Sequence, residues 1–209
     1  MPLVKTIDLI NRGKVLLWYI SENIDELKKI KCSKNSIERL GQMKSQSHQK
    51  GFLAVRHLLL QAGYNDHDLF YSELGKPLLK DGRQISISHS YDYSTIIISD
   101  NIVGIDIEKN REKIEKIASR FIGRETFQPK NKEEQIKFLT RIWAAKESLF
   151  KTHIGGQVLF KEHLFIEDFL LSDNRTIAHL EKGKLSEDHT VEFLDLTGYT
   201  LAYSQKIEV

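Results

Sequence analysis

Tyr93-Ser-Thr-Ile-Ile-Ile-Ser99, then Asp100-Asn101, then Ile102-Val-Gly-Ile-Asp106-Ile-Glu108 is the stretch whose reading decides the fold. Two apolar runs rich in β-branched residues flank a polar pair. That pattern predicts two strands joined by a tight hairpin turn at Asp100-Asn101. In the second strand Asp106 and Glu108 stand two apart, so both carboxylates leave the same face. Two acids that close repel, and left alone one of them takes up a proton. A hard divalent cation removes the conflict. Mg²⁺ in particular takes carboxylate oxygens and keeps positions open for water and for substrate phosphates. The competing reading is an exposed strand end carrying two solvated acids.

Downstream, Glu112 to Phe121 reads as a short helix. A longer one follows, with Asn131 as its N-cap and Glu134 three residues on as the capping-box partner. Ile136, Leu139, Trp143 and Phe150, with Ile142 and Leu149, have helical apolar spacing. Gly155-Gly156 is expected to close it. Within Trp143-Ala-Ala-Lys146-Glu147-Ser148-Leu-Phe-Lys151, the residues Trp143, Glu147 and Lys151 are spaced by four and share one stripe. One reading of the stripe is a surface ion pair beside a packed indole. The other is a third metal ligand or base, Glu147, beside a cation, Lys151, for a leaving phosphate. Beyond it, Leu164–Phe169, Val191–Leu196 and Tyr199–Tyr203 read as strands, the last two forming a hairpin about Thr197-Gly198.

Upstream, Lys14 to Ile20 reads as a strand and Glu26 to Ala62 as mostly helical, ended by Gly63. Gly75-Lys76-Pro77 is a turn. Ile85-Ser-Ile-Ser-His89 alternates, which predicts a strand with Ile85 and Ile87 inward and the serines on the other face. Its Ser-His-Ser end, residues 88–90, offers hydroxyl, imidazole and backbone donors to an anion, although a lone histidine is often structural. Between Lys28 and Lys50 seven lysines and arginines face Glu38 alone. This stretch is either a solvated helical face or a patch for a polyanion.

Bulk properties restrict the class. The 209 residues suit one large domain or two small ones sharing a core. Apolar residues at 40% and charged ones at 29% are an ordinary globular balance. No run approaches the ~18 apolar residues of a membrane span, and Val15–Ile20 is too short for a signal-peptide core. A cytoplasmic protein without a membrane segment is expected. Cys32 is the single cysteine, which excludes an intrachain disulfide and a Cys-rich zinc site.

The order of these motifs is more specific than any one of them. Gly-Lys-Pro, Ile-Ser-His-Ser, Gly-Ile-Asp-Ile-Glu-Lys and Trp-x-x-Lys-Glu-Ser-x-x-Lys, from about Lys50 to Gly156, resemble the 4′-phosphopantetheinyl transferases. More narrowly they resemble the larger type that activates peptide and polyketide synthetases. The resemblance implies an α+β fold of two similar α/β halves about a pseudo-twofold axis, with the active site in the cleft between them. The halves would be residues 1–101, carrying the basic and Ser-His motifs, and 102–209, carrying the acidic strand, the Trp-Lys-Glu-Lys helix and the C-terminal β-structure. It implies transfer of phosphopantetheine from coenzyme A to a serine of an apo acyl or peptidyl carrier protein, releasing adenosine 3′,5′-bisphosphate. Asp106, Glu108 and Glu147 match the family's Mg²⁺ ligands. Glu147 also matches the base for the serine, and Lys151 the cation that stabilises or protonates the departing phosphate. Lys76, Ser88 and His89 match residues that hold coenzyme A phosphates. Phe52-Leu-Ala-Val-Arg56 resembles the family's N-terminal helix motif, which makes Arg56, and then Lys50, candidates for the nucleotide side. A monomer that binds neither nucleic acid nor membrane is expected.

The chain departs from the family pattern at Arg120-Phe121, where the usual following acid arrives one place early, as Glu125. Two other readings of the residues stay open here. Paired acids with a later Glu and Lys also serve metal-dependent nucleases, and a basic patch suits nucleic acid. A non-catalytic module that binds coenzyme A or a carrier protein would instead tolerate a broken acid set.

Overall fold

A computed structural model describes residues 2–9, 12–153 and 157–208. The chain divides into two compact units, Met1–Asn101 and Ile102–Val209. Both are mixed α/β structures with antiparallel sheets.

In the first unit, strands β1 (Leu3–Asp8), β2 (Lys14–Tyr19), β5 (Gln84–Ser90) and β6 (Tyr93–Ser99) form a sheet in the order β1-β2-β6-β5. Helices α1 (Ile24–Leu27), α2 (Lys34–Gln42) and α3 (Gln46–Gln61) lie between β2 and β5 in the chain. The short strands β3 (Leu69–Tyr71) and β4 (Pro77–Leu79) pair around the Gly75-Lys76 turn, where Gly75 has φ +79°. On α3, Phe52, Val55, Leu58 and Leu59 fall on one stripe. They pack with Leu16, Trp18, Ile85, Ile96 and Ile98 from alternate positions of the sheet. Each such buried side chain contributes about 1.5–3 kcal/mol. The other parity of β5, Ser86, Ser88 and Ser90, is also buried.

The hairpin expected at Asp100-Asn101 does not form. Strand β6 lies between β2 and β5, so both of its edges are already paired. The next strand, β7 (Val103–Lys109), pairs with β11 (Tyr199–Lys206) in a different sheet. The polar pair is therefore a passage from one unit to the other. The β1 strand was not legible, because its LVKTID sequence is mostly exposed and carries no apolar alternation.

The second unit has a five-stranded sheet in the order β7-β11-β10-β9-β8, with β8 (Leu164–Ile166), β9 (Arg175–Lys182) and β10 (Leu185–Leu196). The β10–β11 hairpin turns at Thr197-Gly198 as expected, with Gly198 at φ +74°. Strand β8 is shorter than Leu164–Phe169, β10 begins well before Val191, and β9 is an addition. The short helix expected over Glu112 to Phe121 is present as a 3-10 helix, Glu112–Arg120. The long helix α4 runs Lys132–Thr152, and α5 covers Phe160–His163. Asn131 caps α4, its side chain accepting from the Glu134 amide at 2.9 Å. The Glu134 carboxylate reaches back to the Lys130 amide, one residue earlier than a capping box requires. The Gly155-Gly156 pair expected to close the helix lies outside the described residues. No helix among the described residues is long and apolar enough to cross a membrane.

Two contacts seat α4 on its sheet. The first is at Gly104 on β7, where a Cβ would collide with the Ser148 carbonyl oxygen of α4. Only the missing side chain lets strand and helix backbones approach that closely. The second is a buried ion pair, Lys146 Nζ to Glu125 Oε1 at 2.6 Å, with side chains 0% and 2% exposed. Lys146 also donates to the Phe121 and Phe160 carbonyls, while Glu125 accepts from the Gly123 and Ile166 amides. Burial pushes the Lys146 ammonium down, and the Glu125 carboxylate opposes that shift.

Gly104→Ala should destabilise the protein by about 1–3 kcal/mol, the usual range for overpacking, read as a lower urea midpoint. A midpoint equal to wild type would mean that the helix moves aside freely. Lys146→Met should cost about 3–5 kcal/mol because it strands a buried carboxylate. The double variant Lys146→Met with Glu125→Gln should recover much of that loss in the same titration, and no recovery would contradict the pairing.

Candidate active site

Gly104, Asp106 and Glu108 alternate on β7, and the collision predicted at Gly104 shows that this parity faces α4. Both carboxylates therefore point at the helix. From α4 the stripe Trp143, Glu147 and Lys151 meets them. Trp143 Nε1–H donates to Glu108 Oε1 at 3.0 Å. Lys151 Nζ donates to Asp106 Oδ1 at 2.7 Å and to the Ile105 carbonyl at 3.0 Å. Glu147 lies between these two contacts in the stripe. The four groups expected from the acidic strand and the helix are thus brought together within one unit.

The electrostatics show how closely they crowd. Burial, then Asp106, then Glu108 push the Glu147 carboxyl up to about 7, against the opposing pull of the Lys151 ammonium. Glu108 is also raised, by burial and by Asp106, while the Trp143 N–H, Lys151 and Arg111 hold it down. Such acids bind protons or cations because either relieves their repulsion. Among the described residues no three His, Cys, Asp or Glu side chains form a ready-made metal cage. The donor set still suits Mg²⁺, which is held through one or two carboxylates and completes its shell with water and phosphate oxygens. Asp106, Glu108 and Glu147 are the oxygen donors available for that role.

The upstream candidates lie in the first unit. His89 is exposed at the end of β5, and its ring lies against Gly51 of α3, where a Cβ would stand 2.5 Å from His89 Cδ2. The Gly51 carbonyl accepts from Ser94 Oγ at 3.2 Å, and His48 meets the His89 ring edge-on at 5.9 Å between centroids. Ser88 is buried beside it in the strand. Lys50 donates to the Glu22 carbonyl at 2.6 Å. Lys76 sits in the β3–β4 turn, half-buried, and burial lowers its ammonium's proton affinity. Lys28, Lys29, Lys31, Lys34, Arg39 and Lys44 are all exposed.

Arg56 departs from expectation. It is 4% exposed and forms an ion pair with Asp66 at 2.9 Å. It also donates to Ser36 Oγ and the Phe52 carbonyl, with its guanidinium 3.5 Å from the Phe52 ring centroid. Arg56 is a core residue that ties α3 to α2 and to the Asp66–Asp68 turn. The motif around it is legible as a helix, but its Asp66 partner lies ten residues on, across a turn, with no helical spacing to signal the pair. Glu125 is likewise the structural partner of Lys146. Trp143 was legible as a stripe member; its bond to Glu108, across 35 residues, was not.

Comparison with known proteins fits this geometry. Residues 102–204 match the 4′-phosphopantetheinyl transferase superfamily. The 4′-phosphopantetheinyl transferase gsp of Aneurinibacillus migulanus is 31% identical over 147 residues, covering 68% of this chain and 60% of that protein. The 4′-phosphopantetheinyl transferase ffp of Bacillus subtilis is 30% identical over 152 residues, 69% of this chain and 65% of that protein. The 4′-phosphopantetheinyl transferase Sfp of Bacillus subtilis (strain 168) is 33% identical over 89 residues, 40% of each. The matches thus span less than two thirds of each relative. Over residues 102–204, the unit that holds the acid cluster, this chain belongs to the 4′-phosphopantetheinyl transferase superfamily.

Proposed function

We propose that this protein transfers the 4′-phosphopantetheine group of coenzyme A to a serine hydroxyl of an apo acyl or peptidyl carrier protein. The observation that carries the reading is the meeting of Asp106, Glu108, Glu147 and Lys151 in the unit that matches the family. The two units are the similar halves implied by the resemblance, and each being an antiparallel sheet packed against one long helix supports this. The pseudo-twofold axis and the coenzyme A cleft are taken from the resemblance.

In this reading Glu147 accepts the serine proton. Glu147 lies on α4 between the Trp143–Glu108 and Lys151–Asp106 contacts, so a carrier serine brought to the acid cluster would meet its carboxylate. The serine oxygen forms a bond to the β-phosphorus of coenzyme A as the bridging P–O bond breaks. The leaving group is adenosine 3′,5′-bisphosphate. Lys151 faces the charge that develops on that phosphate. Its ammonium has three donors, and Asp106 and the Ile105 carbonyl fix its direction through two of them. Asp106, Glu108 and Glu147 would hold Mg²⁺, which when bound neutralises pyrophosphate charge and orients it. Lys76, Ser88 and His89 hold coenzyme A phosphates, with Lys50 on the nucleotide side. The larger subtype, a cytoplasmic location and a monomer complete the proposal.

Incubation with a fluorescent coenzyme A, Mg²⁺ and a panel of apo carriers should label a carrier, and no label on any of them rejects the reading. Metal-dependent cutting of plasmid DNA instead would favour a nuclease. Asp106→Ala and Glu147→Ala should each lower kcat/KM by on the order of 10³-fold, since a metal site supplies several kcal/mol to such a transition state. Their circular dichroism should stay native, and near wild-type turnover would mean the metal lies elsewhere. Lys76→Ala and His89→Ala should chiefly raise the KM for coenzyme A, about 10-fold, with kcat little changed. An unchanged KM in both would remove them from the phosphate site.

A further inference from the structure

We infer that Trp143 is a positioning residue for the metal-holding acids, fixing the Glu108 carboxylate through its indole N–H so that Glu108 and Asp106 present oxygens together. The inference rests on the transferase reading only for the identity of the metal-dependent reaction. The bond itself has ordinary hydrogen-bond length, 3.0 Å from Nε1 to Oε1. It joins a charged acceptor to a donor that has no alternative tautomer or rotor.

The indole is held on several sides. Its ring packs edge-on against Phe121 at 5.1 Å and stacks on Phe160 at 5.3 Å. Phe160 is in turn packed by Phe150 at 5.4 Å. Phe121 is fully buried, and its carbonyl accepts from Lys146, which lies one turn along α4 from Trp143. A rotation of the indole would therefore have to displace the buried Phe121 ring and the half-buried Phe160 ring. Glu108 is near the end of β7 and, with Trp143 itself, borders a hollow of about 210 Å³ lined also by Arg111, Ile114, Ile117 and Thr140. A long carboxylate beside open space has several rotamers, and two like-charged neighbours drive it away from the cluster. The Trp143 N–H selects the rotamer that keeps it there. A metal ligand's hydrogen-bonded supporter is worth on the order of 10–100-fold in metal affinity.

The test is Mn²⁺ binding by the full-length protein, followed by electron paramagnetic resonance without coenzyme A or carrier. Trp143→Phe keeps an aromatic ring against Phe121 and Phe160 but removes the donor. It should weaken Mn²⁺ at least 10-fold and raise by a similar factor the Mg²⁺ giving half-maximal carrier labelling. In a Glu108→Gln background the same substitution should change Mn²⁺ affinity less than 2-fold, which a general packing defect would not reproduce. If Trp143→Phe does not fold, tryptophan is replaced biosynthetically by benzothienylalanine, which keeps the ring shape and lacks the N–H. Trp18, the other tryptophan, has no hydrogen-bond partner for its Nε1 among the described residues, so this exchange removes one bond of interest. Unchanged Mn²⁺ affinity, equal loss in both backgrounds, or no Mn²⁺ binding by the wild type overturns the inference. Absence of carrier labelling by a wild type that binds Mn²⁺ in the expected pattern rejects the transferase reading and leaves the role of Trp143 intact.

Discussion

The approach of α4 to β7 at Gly104 sets the distance on which the acid cluster depends. A side chain at that position would meet the Ser148 carbonyl oxygen, so the helix can lie this near only because the strand has none there. Glu147 precedes Ser148 and Asp106 follows two residues after Gly104. The glycine contact is thus placed beside the site, where a small change in spacing has its largest effect. Lys151 reaches Asp106 at 2.7 Å and Trp143 reaches Glu108 at 3.0 Å across the gap so defined. A helix held a few ångströms further out would leave three acids without the partners that make their proximity tolerable.

Rotation of α4 about its own axis is fixed by charge. Arg141, Lys146 and Lys151 are spaced by five, so each points about 140° on from the last. Each finds an acid on a different element: Asp195 on β10 at 2.7 Å, Glu125 in the segment after the 3-10 helix at 2.6 Å, and Asp106 on β7 at 2.7 Å. Arg141 and Lys146 are almost fully buried, and an unpaired buried cation is costly, so turning the helix would break two such pairs at once. The exposed part of the set is Lys151, whose side chain is 27% accessible. The two inner cations hold the helix and the outer one is available for chemistry.

Local signals made half of this legible in the sequence. The stripe Trp143, Glu147 and Lys151 follows from helical spacing, and the shared face of Asp106 and Glu108 from strand alternation. What no local signal carried was which strand β7 would join. Its apolar run after Asp100-Asn101 reads as a hairpin partner for β6, yet β6 has no open edge because β2, nearly eighty residues earlier, already occupies it. Strand β9 was missed because its buried parity, Thr176, Ala178 and Leu180, is small or polar at two of three positions. Arg56 was read as a ligand residue from its motif alone. Its burial was set by Asp66, whose own carboxylate is lowered by the Ser33 and Ser36 hydrogen bonds and by Arg56 against the cost of burial. Charge in a sequence names a candidate; only tertiary pairing decides whether the charge faces inward or outward.

The first unit applies the same device as the second with helix and strand exchanged. At β7 the glycine is on the strand and the helix backbone fills its space. In α3 the glycine is on the helix, and the His89 ring of β5 fills the space that a Cβ at Gly51 would take. The Gly51 carbonyl meanwhile accepts from Ser94 on the neighbouring strand, so the helix is drawn onto the sheet at the point where it has least bulk. His89 is consequently held by packing rather than by depth, which leaves the residue exposed while limiting the directions its ring can face. In the proposed transferase such an oriented imidazole would have little rotamer freedom left to lose on meeting a phosphate.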